Sequence, residues 1–129
     1  MRLRLPGDIA MQYMLMCCID EALWSGLPDA ERDSVMNDYH ALIQEMVTSG
    51  HYRGGARLQS VDSATTLREQ NGKVVTLDGP FAESREQLGG FHVVECSDLD
   101  EALALARRIP PLRVGGSVEV RPVDPAYRL

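Results

Sequence analysis

Thr76-Leu-Asp-Gly-Pro-Phe-Ala-Glu-Ser-Arg-Glu-Gln-Leu-Gly-Gly90 is the densest run of special residues in the chain. It closes a hairpin on one side and opens a strand on the other. Asp78-Gly79-Pro80 is turn chemistry. Gly79 can take positive φ, Pro80 fixes its own φ, and a carboxylate such as that of Asp78 can accept from backbone N–H groups two or three residues on. Phe81 is one of only two Phe in the chain, and it is expected to plug into a core and anchor the loop. Glu83, Arg85 and Glu86 bring charge close to that anchor. Gly89-Gly90 lets two backbones approach closely before Phe91 starts an apolar run.

Upstream of this stretch, Thr65–Gln70 and Lys73–Leu77 are β-rich runs separated by Asn71-Gly72, the signal for a two-residue type I′ hairpin. Ser60–Ala64 reads as a loop, and Tyr52–Gln59 as a strand interrupted by Gly54-Gly55. Before that strand, Pro28-Asp29 opens a long helix running to about Ser49. Its stripe is Val35, Met36, Tyr39, Leu42, Ile43, Met46 and Val47. Gly50 is its stop, and His51 follows beside the negative end of the helix dipole. Asp20–Leu27 is a connection holding the sole Trp, Trp24, and Gln12–Ile19 is the first strand.

Downstream, Phe91–Cys96 is a strand, apolar except for His92 and Glu95. Ser97 or Asp98 caps a second helix, Leu99–Arg108, with a buried stripe of Leu99, Ala102, Leu103 and Ala106. Pro110-Pro111 stop it, and Ser117–Val123 is the last strand. The order is therefore β-α-β, an inserted hairpin, then β-α-β. Short connections and right-handed crossovers make this an α+β, ferredoxin-like βαββαβ arrangement, an antiparallel sheet with two helices on one face. Both faces of Gln12–Ile19 are apolar, yet two helices can cover only one face of four strands. A second copy of the chain is the simplest cover for the other, so a homodimer is expected.

The run from Asp78-Gly79-Pro80-Phe81 through Glu86-Gln-Leu-Gly-Gly90 resembles the signature of the DGPF domain, a branch of the YCII-related family. Met11-Gln-Tyr-Met-Leu-Met16, Asp20-Glu21 with Trp24, and Val118-Glu-Val-Arg-Pro122 are similar to that family too. The resemblance spans 11–123. It leaves 1–10 as an N-terminal extension, expected to be loosely ordered, and 124–129 as a C-terminal tail. It implies a ferredoxin-like fold pairing into a dimeric α/β barrel. Relatives of that superfamily include isomerases, lyases and dehydrochlorinases, while some proteins of the DGPF type are linked to alternative sigma factors, which implies a regulatory partner. The wider group places a His just after the first strand, working with an Asp. This sequence has no His there, so that catalytic pair does not carry over.

With 129 residues the chain is one domain, large enough for a core without disulfide or metal. A net charge of −6 with no basic cluster removes the electrostatic footprint of nucleic-acid binding. Three Cys without CxxC or Cys/His ligand spacing read as free thiols in a reducing cytosol, Cys17 and Cys18 on opposite faces of one strand. Arg2 and Arg4 precede an apolar run, but it is short, ends at Asp20-Glu21 and lacks a small-residue cleavage site. No stretch approaches membrane-spanning length, and a cytoplasmic location is expected. The glycine pairs form neither GxGxxG nor a P-loop, and there is no GxSxG or HExxH. No cofactor or metal is implied.

Each candidate for chemistry has a structural alternative. Asp78 is a strand-end carboxylate suited to general-base work or ligand binding, or an Asx turn that holds its loop. His92 sits in an otherwise apolar central strand. It is a catalytic or ligand-contacting imidazole titrating near neutrality, or a satisfied core group. Glu83 and Glu86 are an acid/base pair on one helical face, or solvated charges partnered by Arg85. Trp24 lines a pocket or covers one end of the core. Arg53 and Arg57 flank Gly54-Gly55 and suit a carboxylate or phosphate. His40 and His51 read as structural or solvated. Two functions follow: a homodimeric binding or accessory module whose small-molecule pocket is lined by Trp24, Arg57, Phe81 and Glu83, or a small-molecule enzyme using Asp78 and His92.

Overall fold

The computed structural model describes residues 10–81 and 84–129. The expected extension, apart from Ala10, and the expected pocket residue Glu83 lie outside the described residues. Among the described residues, six strands and three α-helices follow in the order β1 (Met11–Ile19), α1 (Glu21–Ser25), α2 (Asp29–Thr48), β2 (Tyr52–Arg57), β3 (Thr65–Gln70), β4 (Lys73–Asp78), β5 (Gln87–Cys96), α3 (Leu99–Ala106) and β6 (Ser117–Pro122). Four strands form one antiparallel sheet in the order β2-β5-β1-β6, while β3 and β4 make a separate two-stranded ribbon. This α+β architecture is compatible with a ferredoxin-like fold.

The local rules account for most boundaries. Asn71 at φ 51° and Gly72 at φ 78° make the two-residue turn of the β3–β4 ribbon, since a type I′ turn needs positive φ at both positions. Gly50, at φ 82°, ends α2 in a Schellman motif. Gly50 N donates to Val47 O at 3.1 Å and His51 N to Met46 O at 3.0 Å, satisfying two of the last carbonyls. Asp98 caps α3 by accepting from Glu101 N at 2.9 Å, and Glu101 reaches back to accept from Ser97 N at 3.3 Å.

The connection expected after β1 contains a short helix. Asp20 accepts from Ala22 N and Leu23 N, which organises the short helix α1. The glycine pair Gly89-Gly90 is already inside β5, because β5 continues its pairing with β1 back to Gln87. The helix α3 ends at Ala106, two residues early, and Ile109 beyond it enters the core at 1% exposure.

Tyr13, Leu15 and Cys17 of β1 and Val94 and Cys96 of β5 pack under Tyr39, Leu42 and Met46 of α2 and Ala102 and Ala106 of α3. Strand periodicity selects those odd positions of β1, and the 3.6-residue repeat selects the α2 set. The helical stripes are narrower than expected, because Val47 and Leu99 are exposed. The other face of the sheet carries Met14, Met16 and Phe91, half-buried, and Gln12, Val93 and Glu95, buried. Part of that face is covered from within the chain. Gln12 exchanges hydrogen bonds with the Leu129 backbone at 2.6 and 2.7 Å, and Glu95 accepts from both Arg53 and Arg128. Arg128 and Leu129 are therefore tied back to the sheet.

The ribbon departs most from expectation. Phe81 is 76% exposed rather than plugged into the core, and Leu67 and Val74 on the ribbon are similarly open. The loop is instead tied to its own ribbon: Gly79 N donates to Ala64 O at 2.8 Å, Thr66 Oγ1 to Gly79 O at 2.7 Å, and Arg68 to Phe81 O at 2.9 Å.

Candidate functional site

A cavity of about 500 Å³ opens between the helical layer and the β2–β5 half of the sheet. Three glycines of its wall, Gly55, Gly89 and Gly90, lie on those two strands. Ile19, Trp24, Met36, Ile43 and Pro111 supply its apolar surface. Trp24 is brought there by α1, the element the sequence did not reveal.

The polar part of the wall is a chain of hydrogen bonds centred on His92, which is 5% exposed. His92 and Tyr52 project from neighbouring strands toward the helices, and Tyr39 descends from α2. Tyr39 Oη lies 2.5 Å from His92 Nε2, and Tyr52 Oη lies 2.9 Å from His92 Nδ1. Cys17 Sγ extends the chain at 3.0 Å from Tyr39 Oη. Gly55 is demanded by this arrangement: a Cβ there would stand 2.5 Å from Tyr52 Oη, 2.7 Å from His92 Nδ1 and hard against Phe91 O.

Burial sets the charge state of all four groups. It lowers the pKa of His92, so the imidazole is held neutral. It raises the phenols of Tyr39 and Tyr52 and the Cys17 thiol, the Tyr39 hydrogen bond opposing the rise at Cys17. A neutral imidazole has one N–H and one acceptor nitrogen, so the chain has two internal arrangements. In one, Nδ1–H donates to Tyr52 Oη, Tyr39 O–H donates to Nε2, and the Cys17 thiol donates to Tyr39. Tyr52 O–H is then free to donate to a ligand. In the other, every donor reverses and Tyr52 O–H is used on Nδ1. The array can therefore accept or release a hydrogen bond at Tyr52 without any group becoming charged.

Of the residues expected from sequence, Trp24, Arg57 and His92 line this cavity. Asp78 ends β4, opposite Thr65 on the ribbon, and is exposed; it is not among the cavity residues. The structure therefore does not bring Asp78 and His92 into one cavity. Phe81 lies on the same exposed loop. Glu86 accepts from Ser117 Oγ at 3.4 Å, away from the cavity wall. Arg53 is taken up by Glu95, and His51 bridges Ser49 and Glu101 at 2.6 and 3.1 Å. His40 lines the cavity from the exposed side of α2.

Sequence reasoning missed Tyr39, Tyr52 and Cys17 as partners of His92. Tyr39 was counted only as one member of an apolar stripe. The usable signal was its hydroxyl, which a buried position must satisfy. Among the described residues no group of three or more His, Cys, Asp or Glu is placed to hold a metal ion. No described helix is long and apolar enough to cross a membrane.

Two comparisons bear on kinship. The YCII-related domain matches residues 11–126 of the chain. An uncharacterised protein of Rhizobium meliloti (strain 1021) is 40% identical over 114 residues, an alignment covering 88% of this chain and 92% of that relative. The match takes in the four-stranded sheet, the β3–β4 ribbon and the three described α-helices, so the chain belongs to the YCII-related family.

Proposed function

We propose that the chain is a homodimeric small-molecule-binding protein whose ligand enters the cavity above His92. The observation that carries this reading is the Tyr39–His92–Tyr52 array on the wall of an otherwise apolar cavity of about 500 Å³. Ligand sites combine an apolar enclosure of this size with a few convergent polar groups that fix orientation. A core filled only for stability would gain more from apolar packing than from a four-membered polar chain opening on a cavity. The dimer is supported by the half-buried Met14, Met16 and Phe91 on the sheet face that the helices leave uncovered.

A second reading is favoured by one observation. Burial keeps His92 unprotonated at neutral pH, as a general base requires. In this reading His92 takes a proton from the ligand through Tyr52, and the reaction is a proton transfer of the isomerase or lyase type. Asp78 has no part in it.

Native mass spectrometry with a denatured control tests the proposal. A dimer is expected, and a co-purified ligand appears as extra mass lost on denaturation. A monomer throughout the micromolar range refutes the dimer. Trp24 emission that ignores a panel of small apolar acids, amides and alcohols refutes the binding site.

A further inference from the structure

Arg57 stands apart from the other polar groups of the cavity wall. It closes β2 and is exposed. Among the described residues no hydrogen bond or ion pair engages its guanidinium, whereas Arg53 four positions earlier is committed to Glu95. The one carboxylate among the described residues of the wall, Glu21, does not answer it. Its Oε2 accepts from Ser60 Oγ at 2.8 Å and its Oε1 from Val61 N at 2.9 Å, so both oxygens are occupied by neutral donors of the loop before the ribbon. Arg57 is nevertheless close enough to the His92 array for its charge to oppose the rise in the Tyr39 pKa. An uncommitted guanidinium beside an apolar enclosure is a recognition element for a carboxylate, which it can grip through two parallel hydrogen bonds.

We propose that the cavity takes a small apolar monocarboxylate, its carboxylate on Arg57 and Tyr52 and its apolar body against Trp24, Met36 and Ile43. The inference rests on the cavity being the binding site and adds the chemical class of the ligand. It also selects one arrangement of the hydrogen-bond chain. A carboxylate only accepts, so it requires Tyr52 O–H to point outward, with His92 Nδ1–H donating to Tyr52 and Tyr39 donating to Nε2.

Trp24 is the only tryptophan of the chain and lies on the wall, so its emission reports occupancy directly. Cyclohexylacetate and cyclohexylacetamide share shape and volume, differ in charge, and do not absorb where Trp is excited. Each is titrated into the full-length protein, into Arg57→Gln and into His40→Gln, with thermal melts to show that the variants fold. The acid is expected to bind at least about tenfold more tightly than the amide, the scale of one charge-assisted pairing. Arg57→Gln is expected to erase that preference while leaving amide binding in place, and His40→Gln to preserve it. Equal binding of acid and amide, a preference that survives Arg57→Gln, or one lost in His40→Gln overturns the carboxylate assignment and leaves the cavity as a binding site. If neither compound binds the unaltered protein, the ligand class and the binding site both fall.

Discussion

Replacing Gly55 by alanine tests the geometry of the site at its tightest point. The backbone of Gly55 lies outside the positive-φ region, so a side chain is not excluded by conformation. On unfolded-chain entropy alone, Gly→Ala at such a position stabilises by about 0.4–1 kcal/mol. Space argues the other way. The new Cβ would stand 2.5 Å from Tyr52 Oη, 2.7 Å from His92 Nδ1 and still closer to Phe91 O. The Phe91 carbonyl belongs to β5, so it cannot yield without disturbing the β2–β5 pairing, where Gly55 faces His92 and Ala56 faces Phe91. The Tyr52 hydroxyl can swing away, but only by giving up its 2.9 Å hydrogen bond to His92. Overpacking of this kind costs about 1–3 kcal/mol, and the lost hydrogen bond adds about 1 kcal/mol. After the entropic offset the expected loss is about 2 kcal/mol, which for a domain of this length lowers Tm by about 8 °C. Thermal melts followed by circular dichroism give the first number, and the 15N shifts of the His92 ring report whether Nδ1 has lost its partner. An unchanged or raised Tm with unmoved His92 signals would refute the reasoning, since β2 and β5 would then stand further apart than described.

Tyr39→Phe removes the hydroxyl shared by Cys17 and His92 Nε2, and two buried polar atoms lose their partner. A loss of about 1–3 kcal/mol is expected in urea titrations, and a neutral effect would mean that the hydroxyl carries no such load. The pKa of His92 is depressed in the folded state, so the unfolded chain binds the extra proton first. The contribution of His92 to stability is thus present above pH about 6.5 and declines as pH falls below that value; His92→Gln is expected to flatten this slope between pH 7 and 5. The Cys96 thiol is pushed up to about 12 by burial and by the nearby carboxylates Glu101 and Asp98. Its contribution is complete below pH about 9 and is lost as pH climbs toward 12, so Cys96→Ala should weaken the alkaline fall in stability. Asp78→Asn, at an exposed ribbon end, is expected to change stability by less than about 0.5 kcal/mol; a larger drop in Tm would restore the reading of Asp78 as the fastener of its loop.

Most of the architecture was legible because its signals are local. Asn71-Gly72 sets a turn through its own φ angles, Gly50 stops α2 through its own, and the alternation of β1 is a property of adjacent residues. The stretch from Thr76 to Gly90 was read correctly as the end of one strand and the start of another. It was read wrongly as an anchor, because an exposed Phe81 and a buried Phe81 have the same sequence. The short helix α1 went unseen for a similar reason. Five residues carry too little periodicity to reveal it, and its cap, Asp20, was read as the start of a connection.

The sequence alone determined the order of elements, the core stripe of α2, the membership in a family and the interest of His92. Each follows from residue type and spacing along the chain. Only the tertiary structure decided that Tyr39, Tyr52 and Cys17 would meet His92, since these come from α2, β2 and β1 and are separated from it by 53, 40 and 75 positions. It also decided that Glu95 would occupy Arg53 while no described residue engages the Arg57 guanidinium, and that Asp78 would be carried away on the ribbon. Strand order and register set these outcomes. They depend on which hydrogen-bond ladders close in space, and no window of neighbouring residues contains that information.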